Sequence, residues 1–339
     1  MPVSRNLITD VSGVLVGNAQ DERGASGATV ALFEEPATAS VAIHGGAPGV
    51  RDTALLEPDM TVEKIDAICL SGGSAYGLDA AGGVMNALLA RGRGFAIGPV
   101  RVPIVPQAIL FDLLNGGDKP WLRAPDRDRA PYWDLGREAT QNVSDMFALG
   151  TSGAGFGATT VNLKGGLGST SAEVPRTGHM VGALVAVNAV GSATVGDLPN
   201  FWAAPYEQAS EFGGLGFPQT TPAVALAPRF KGLPAANTNI AIVATDAVLT
   251  KAQAKRLAIG AHDGLARALR PVHASLDGDA VFAAATGKKT GAVNPVDLTI
   301  IIAAAADCLA RAVARAVFEA KALPFDKALP SWRDKFERK

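Results

Sequence analysis

Residues 233–247 read LPAANTNIAIVATDA, in which a short polar and small-residue lead-in gives way at Asn239 to an apolar run. The run reads as a buried strand, so Asn237 and Thr238 stand at its mouth. Inside a chain a threonine hydroxyl is a poor nucleophile, because nothing nearby takes its proton. Were the Asn237–Thr238 bond to break, Thr238 would become an N-terminus. Its α-amine, with an ordinary pKa of roughly 7.7–8, would then serve as base for its own hydroxyl. Proline and asparagine are also ordinary turn residues, and a polar turn entering a strand would look the same. The rest of the chain has to decide between the two.

At 339 residues the chain has room for one large domain or two smaller ones. It shows no internal repeat and no interdomain linker, so a single domain over 1–339 is expected. Charged residues make up only 19%, which leaves a small or neutral surface suited to a subunit interface. A net charge of −1, with no basic stripe before the tail WRDKFERK (332–339), argues against a nucleic-acid partner. The N-terminus lacks a charged segment followed by a long apolar core, so no signal peptide is expected. The apolar stretch 298–306 is too short to span a bilayer. Cys69 and Cys308 each sit in an apolar run and read as buried free thiols, which places the chain in a reducing cytoplasm. His44, His179, His262 and His273 show no HxxxH spacing and the cysteines no CxxC, so neither a metal site nor a cofactor is expected.

Strands are expected at 11–17, 28–33, 40–46, 65–73, 180–191, 239–247 and 279–287. Helices are expected at 74–91, 132–149, 249–269 (capped by Thr250) and 296–321. Residues 116–133 read as a surface loop. Residues 207–236 read as a long connector leading to Asn237.

Four polar groups interrupt apolar or glycine-rich sequence. Lys164 lies between GATTVNL and GGLG; a lone lysine is usually at the surface, but flanking glycines let backbone approach closely, as a crowded site requires. Asn188 ends the strand VGALVAVN, either as a paired strand-end amide or as a donor to an oxyanion. Asp277 and Asp279, in LDGDAVF, are either an Asp-Gly turn or a carboxylate pair placed on one side of an extended chain. In the second case one carboxylate would accept the Thr238 hydroxyl, and the other would hold the ammonium. Around one Asn-Thr junction the groups say more together than singly.

Six blocks, in order, carry a resemblance: 27–58 (GATVALFEEPATASVAIHGGAPGVRDTALLEP), 67–88 (AICLSGGSAYGLDAAGGVMNAL), 153–171 (GAGFGATTVNLKGGLGSTS), VNAVG, ANTNIAIVATDA and 276–287 (LDGDAVFAAATG). The chain resembles the L-aminopeptidase/D-amidase family of self-processing hydrolases, which includes 6-aminohexanoate-oligomer hydrolases and β-peptidyl aminopeptidases. The resemblance implies an α/β (α+β) fold, an αββα four-layer sandwich with two mixed sheets between helix layers. It implies self-cleavage between Asn237 and Thr238 into fragments 1–237 and 238–339 that stay together. It also implies a site of Thr238, Lys164, Asn188, Asp277 and Asp279. Threonine with Asp-Gly-Asp is more similar to the nylon-oligomer branch; the aminopeptidase branch tends to carry Ser and Glu at the paired acidic positions. One departure is Phe111, where some members have a tyrosine; a phenyl ring cannot donate a hydrogen bond, so the oxyanion would fall to Asn188, Lys164 or a backbone N–H.

The expected substrate is a small peptide or oligoamide with a free amino end, and the expected assembly a homo-oligomer, a tetramer or larger, of cleaved subunits. Three other readings stand beside this one. An ornithine-acetyltransferase-like acyl transferase would share the cut before threonine. A nucleotide-binding protein would use SGGSAYGLDAAGG (71–83) for phosphate, although small residues for tight helix packing explain that segment more simply. An inactive scaffold would keep only the fold.

Overall fold

In the computed structural model, which describes residues 5–231 and 237–337, the strands are β1 (Val14–Asp21), β2 (Ser26–Ile43), β3 (Val50–Arg51), β4 (Lys64–Ser71), β5 (Phe95–Ile97), β6 (Val100–Val102), β7 (Gln107–Ile109), β8 (Gly166–Glu173), β9 (Met180–Asn188), β10 (Thr238–Val248) and β11 (Ala280–Ala292). The helices are α1 (Ala80–Ala90), α2 (Tyr132–Gln141), α3 (Ala223–Leu226), α4 (Lys251–Ala268), α5 (Pro295–Phe318) and α6 (Trp332–Phe336). Nine strands form one hydrogen-bonded network in the order β3-β7-β4-β2-β11-β10-β9-β8, with β1 added to β2; β5 and β6 form a separate ribbon.

The core shows how this network makes four layers. Successive residues of a strand face opposite sides, and β10 divides accordingly. Ala241 and Val243 face an outer core with Leu257 and Leu265 of α4 and Leu309 and Val313 of α5. Ile240 and Ile242 face an inner core with Phe33, Ile68, Leu70 and Phe282. A third core packs Val30, Leu32 and Cys69 against Val84 and Leu88 of α1 and Leu135 of α2. The layers thus run α4/α5, sheet, sheet, α1/α2. The two sheets expected from the resemblance are joined through β2. Its first half pairs with β1 and β4 and its second half with β11, with an irregularity between Leu32 and Ala37.

That long strand merges two segments that the sequence presents as separate strands. Helix α2 ends at Gln141 rather than running on to 149, because Ser144 pairs with Val16 of β1 and takes the chain out of helical geometry. The start of the expected 74–91 helix is a 3-10 turn, Ser74–Asp79. Strand β8 was concealed by its glycines. A Cβ at Gly168 would lie 1.9 Å from the Ala312 carbonyl oxygen, so these glycines let α5 rest directly on the sheet. Gly83 and Gly136 do the same where α1 meets α2, so helix packing accounts for Gly83. Thr250 caps α4 as expected, its side chain accepting from the Gln253 N–H. Both cysteines are buried and free, and among the described residues no helix is long and apolar enough to cross a membrane.

Phe282 is fully buried in the core between the two sheet layers. Phe282→Ala is expected to lower stability by about 3–5 kcal/mol, read as a shift of the urea unfolding midpoint with unchanged slope.

Candidate active site

The expected site residues converge at one end of β10. In the antiparallel ladder with β9, Thr238 is the partner of Asn188. On the other side, Asn237 bridges in parallel to Asp277. Thr238 is 5% exposed, and its Oγ1 donates to the carbonyl oxygen of Asn237, the residue just before it. The hydroxyl therefore rests against the carbonyl of the peptide bond it would attack. Gly278 makes room for it, since a Cβ there would lie 2.7 Å from Thr238 Oγ1.

Asp277 and Asp279 are both fully buried, although β11 begins only at Ala280, so the pair belongs to the turn before the strand. Asp279 is well supplied with donors. Its Oδ1 accepts from the Asn239 backbone N–H at 2.8 Å and side-chain Nδ2 at 2.9 Å; its Oδ2 lies 3.1 Å from the His273 backbone N–H and 2.8 Å from His273 Nδ1. Burial alone would raise its pKa, but His273 and the Asn239 amides outweigh burial and hold it below the usual carboxylate value. Asp277 goes the other way, raised by burial and then by its carboxylate neighbour Asp279. Its Oδ1 accepts the Gly278 N–H at 3.2 Å, and the carboxyl also lies against the Asp279 carboxyl and the Ala274 backbone. Asp277 therefore holds its proton more readily than an ordinary carboxyl, and Asp279 less readily. The sequence expectation gave one of these carboxylates the Thr238 hydroxyl; in the uncut chain that hydroxyl donates to Asn237 instead.

Asn188 is fully buried and oriented from several sides. Its Oδ1 accepts from the Thr159 N–H at 3.0 Å and from Lys231 Nζ at 2.7 Å, while Nδ2 donates to the Phe111 carbonyl at 3.0 Å. Position 111 thus contributes its backbone carbonyl. Lys164, 1% exposed, sends Nζ to the carbonyls of Gly155, Ala158 and Gly165 at 3.0, 2.8 and 2.8 Å. These bonds tie down the loop that presents the Thr159 N–H to Asn188. Lys164 thus supports Asn188 through the loop, and the lysine in direct contact with Asn188 is Lys231. Burial brings both ammonium groups down to about 7.

Sequence reasoning missed Lys231, Asn239 and His273. Lys231 sits in the featureless connector, where only a lone lysine six residues before Asn237 marked it. Asn239 reads as the first residue of an apolar run, and its burial beside a carboxylate is visible only in the fold. His273 lies six residues before Asp279, a spacing without a motif. It also meets His44 and His262, so three of the four histidines cluster beside Asp279. Burial lowers the pKa of His44 and takes that of His262 down to about 4. A cavity of about 70 Å³ beside Asn188 is lined by Phe111, Asp112, Asn115, Thr159 and Lys231, among others.

The sequence profile described as Peptidase family S58 matches residues 6–328. The chain belongs to peptidase family S58. An uncharacterized aminopeptidase of Mycobacterium tuberculosis is 41% identical over 353 aligned positions, covering 98% of each chain. A 6-aminohexanoate-oligomer endohydrolase of Paenarthrobacter ureafaciens is 29% identical over 288, covering 82% of this chain and 74% of that one. Among solved structures, a Burkholderia sp. beta-aminopeptidase superposes with a TM-score of 0.68 at 21% identity, over 99% of this chain and 92% of that one. The L-aminopeptidase D-Ala-esterase/amidase of Ochrobactrum anthropi, described as a variant of the Ntn hydrolase fold, gives 0.68 at 22% identity, over 97% and 91%. This S58 protein is thus an amide hydrolase of the aminopeptidase/amidase type with the Ntn hydrolase fold.

The buried Lys164 makes a pH prediction. Its folded pKa lies below its unfolded value of 10.5, so between about pH 7 and 10.5 the unfolded chain binds the additional proton and stability gains as pH rises. In a background carrying Thr238→Ala to keep the chain intact, Lys164→Met should remove this contribution. The stability difference between the two proteins should change by about 1.4 kcal/mol per pH unit over that window, measured by urea unfolding at several pH values. A difference independent of pH would show that Lys164 is not depressed.

Proposed function

We propose that this S58 protein is made as a precursor that cuts its own Asn237–Thr238 bond, and that the matured form hydrolyses amide bonds of short peptides or oligoamides through an acyl-enzyme on Thr238. The observation that carries the reading is the Thr238 hydroxyl held against the Asn237 carbonyl, buried at the mouth of a strand. In the first step Oγ1 bonds to the carbonyl carbon and the bond from that carbon to the Thr238 nitrogen breaks. The hydroxyl proton ends on the departing nitrogen, with the neutral Asp277 acid beside the junction as its relay. Water then hydrolyses the ester, releasing the Asn237 carboxyl group and restoring the hydroxyl beside a free amine.

In turnover the Thr238 amine takes the hydroxyl proton and Oγ1 attacks the substrate carbonyl. The amine of the leaving fragment takes that proton, and water resolves the acyl-enzyme. Ionised Asp279 balances the ammonium formed on the way, and the Asn188 amide N–H supports the oxyanion, a donor worth roughly 3–4 kcal/mol in comparable sites. In the uncut chain a primary ammonium, that of Lys231, lies on the Thr159 carbonyl at 3.1 Å and on Asn188 Oδ1. Departure of the linker after the cut would open that place to the amino end of a substrate. This favours linear amides with a free amine, a class that includes 6-aminohexanoate oligomers, amino-acid amides and β-peptides. The sparse surface charge suits a homo-oligomer of cut subunits, for which gel filtration gives the mass.

Intact-mass spectrometry of purified protein is expected to show a fragment beginning at Thr238 and its complement ending at Asn237. Thr238→Ala should remain full-length and inactive toward 6-aminohexanoate dimer and amino-acid amides; measurable turnover by this variant would exclude Thr238 as nucleophile. Asp279→Asn should fold, mature slowly and lose about 10²–10⁴-fold in kcat/KM, whereas wild-type rates would reduce the acidic pair to a turn.

A further inference from the structure

The histidines beside Asp279 come from three separate places: His44 just beyond β2, His262 on α4, and His273 in the segment before β11. Each offers a ring nitrogen, and the three atoms lie within 4.8 Å of one another. Hydrogen bonds decide which nitrogens keep a free lone pair. His262 Nε2 is 2.9 Å from the Ala42 carbonyl. A carbonyl only accepts, so Nε2 carries the proton and Nδ1 keeps its lone pair. That Nδ1 is completely buried and has no hydrogen-bond partner among the described residues, on a side chain 2% exposed. His273 Nδ1 lies 2.8 Å from Asp279 Oδ2. An ionised carboxylate likewise only accepts, so the free lone pair of His273 is on Nε2.

We propose that His44, His262 and His273 together bind one zinc-class divalent cation, contrary to the expectation from histidine spacing in the sequence. A ring that donates one N–H to a carboxylate or carbonyl and turns the other nitrogen to the metal is the usual arrangement around such ions, and the partner behind fixes the tautomer. Imidazole suits zinc, copper and nickel. Three protein nitrogens leave the fourth tetrahedral position to water, on the solvent side next to His44. The rings of His262 and His273 stand 68° apart, with centroids at 4.9 Å. His44 is stacked on His262 at 3.7 Å. Its ring must turn out of that stack to bring its nitrogen to about 2.0–2.1 Å from the ion, and as an exposed side chain it has solvent to turn into. The bound ion would tie the end of β2 to α4 and to the turn that carries Asp279. It would also draw electron density from His273 and tighten the latter's hold on that carboxylate.

The test is calorimetric titration of zinc chloride into chelator-stripped full-length protein, run on the parent and on Thr238→Ala so that the state of the Asn237–Thr238 bond does not enter. One site per chain is expected in both. His44→Ala, a surface change, should weaken binding more than about tenfold. His179→Ala, which removes the one histidine outside the cluster, should bind like the parent. Cobalt loading should give the intense visible absorption of a tetrahedral site in the parent and lose it in His44→Ala. Absence of zinc binding by the parent, parent-like binding by His44→Ala, or loss of binding in His179→Ala would each overturn the proposal.

Discussion

Strand β10 is held on both sides, antiparallel to β9 and parallel to β11, and the rest of the site follows from that double clamp. The β9 ladder sets Asn188 opposite Thr238. The β11 side brings the Asp277–Asp279 turn to Asn237, and Gly278 is small enough to lie against the hydroxyl. The side-chain alternation that sends Ile240 and Ile242 inward and Ala241 and Val243 outward fixes β10 between two cores. A register slip of one residue would exchange those faces. Precision at the polar end is therefore set by apolar packing along the whole strand.

Burial then sorts the charges. Two carboxylates in one dry pocket cannot both ionise at small cost, and the asymmetry of their partners decides which one does. Asp279 has donors on both oxygens, including the His273 ring, whereas Asp277 has backbone neighbours and a second carboxyl against it. The same turn thus supplies one carboxyl that ionises readily and one that keeps its proton more readily. The lysines follow the same logic. Lys164 is acceptable at 1% exposure because three carbonyls receive its donors, yet burial still weakens its hold on the proton.

Much of this was legible in the sequence, for definite reasons. The apolar runs at 180–191, 239–247 and 279–287 are continuous because their strands are covered on both faces, and Thr250 announces α4 through its own side chain. Block order in the sequence pointed to the family, and the family to the four layers. The losses are equally physical. Glycines in β8 exist to admit α5 and so remove the residues by which a strand is recognised. Helix α2 is stopped by a tertiary bridge, Val16 with Ser144, that no local preference encodes. Lys231, Asn239 and His273 act only through partners brought together by folding. For Lys164 the sequence shows that a lysine is unusual among glycines but not which way it turns, and it turns to the carbonyls of its own loop.

The place of the Asn237–Thr238 bond also bears on what a cut there would do. Residues 238–339 supply β10, α4, β11 and α5, and these are not peripheral. β10 and β11 form the middle of the network, between β9 and β2, while α4 and α5 cover the outer core. Releasing this segment would require breaking the β9–β10 and β2–β11 ladders and exposing two hydrophobic cores, which is close to unfolding the protein. One hydrolysed peptide bond at the mouth of β10 removes none of those interactions. What it would change is local: a neutral amide nitrogen would become a basic amine beside a hydroxyl and the Asp279 carboxyl, and the stretch before Asn237 would gain a free end. The geometry that holds the strand in place thereby allows a large change in chemistry with little change in structure.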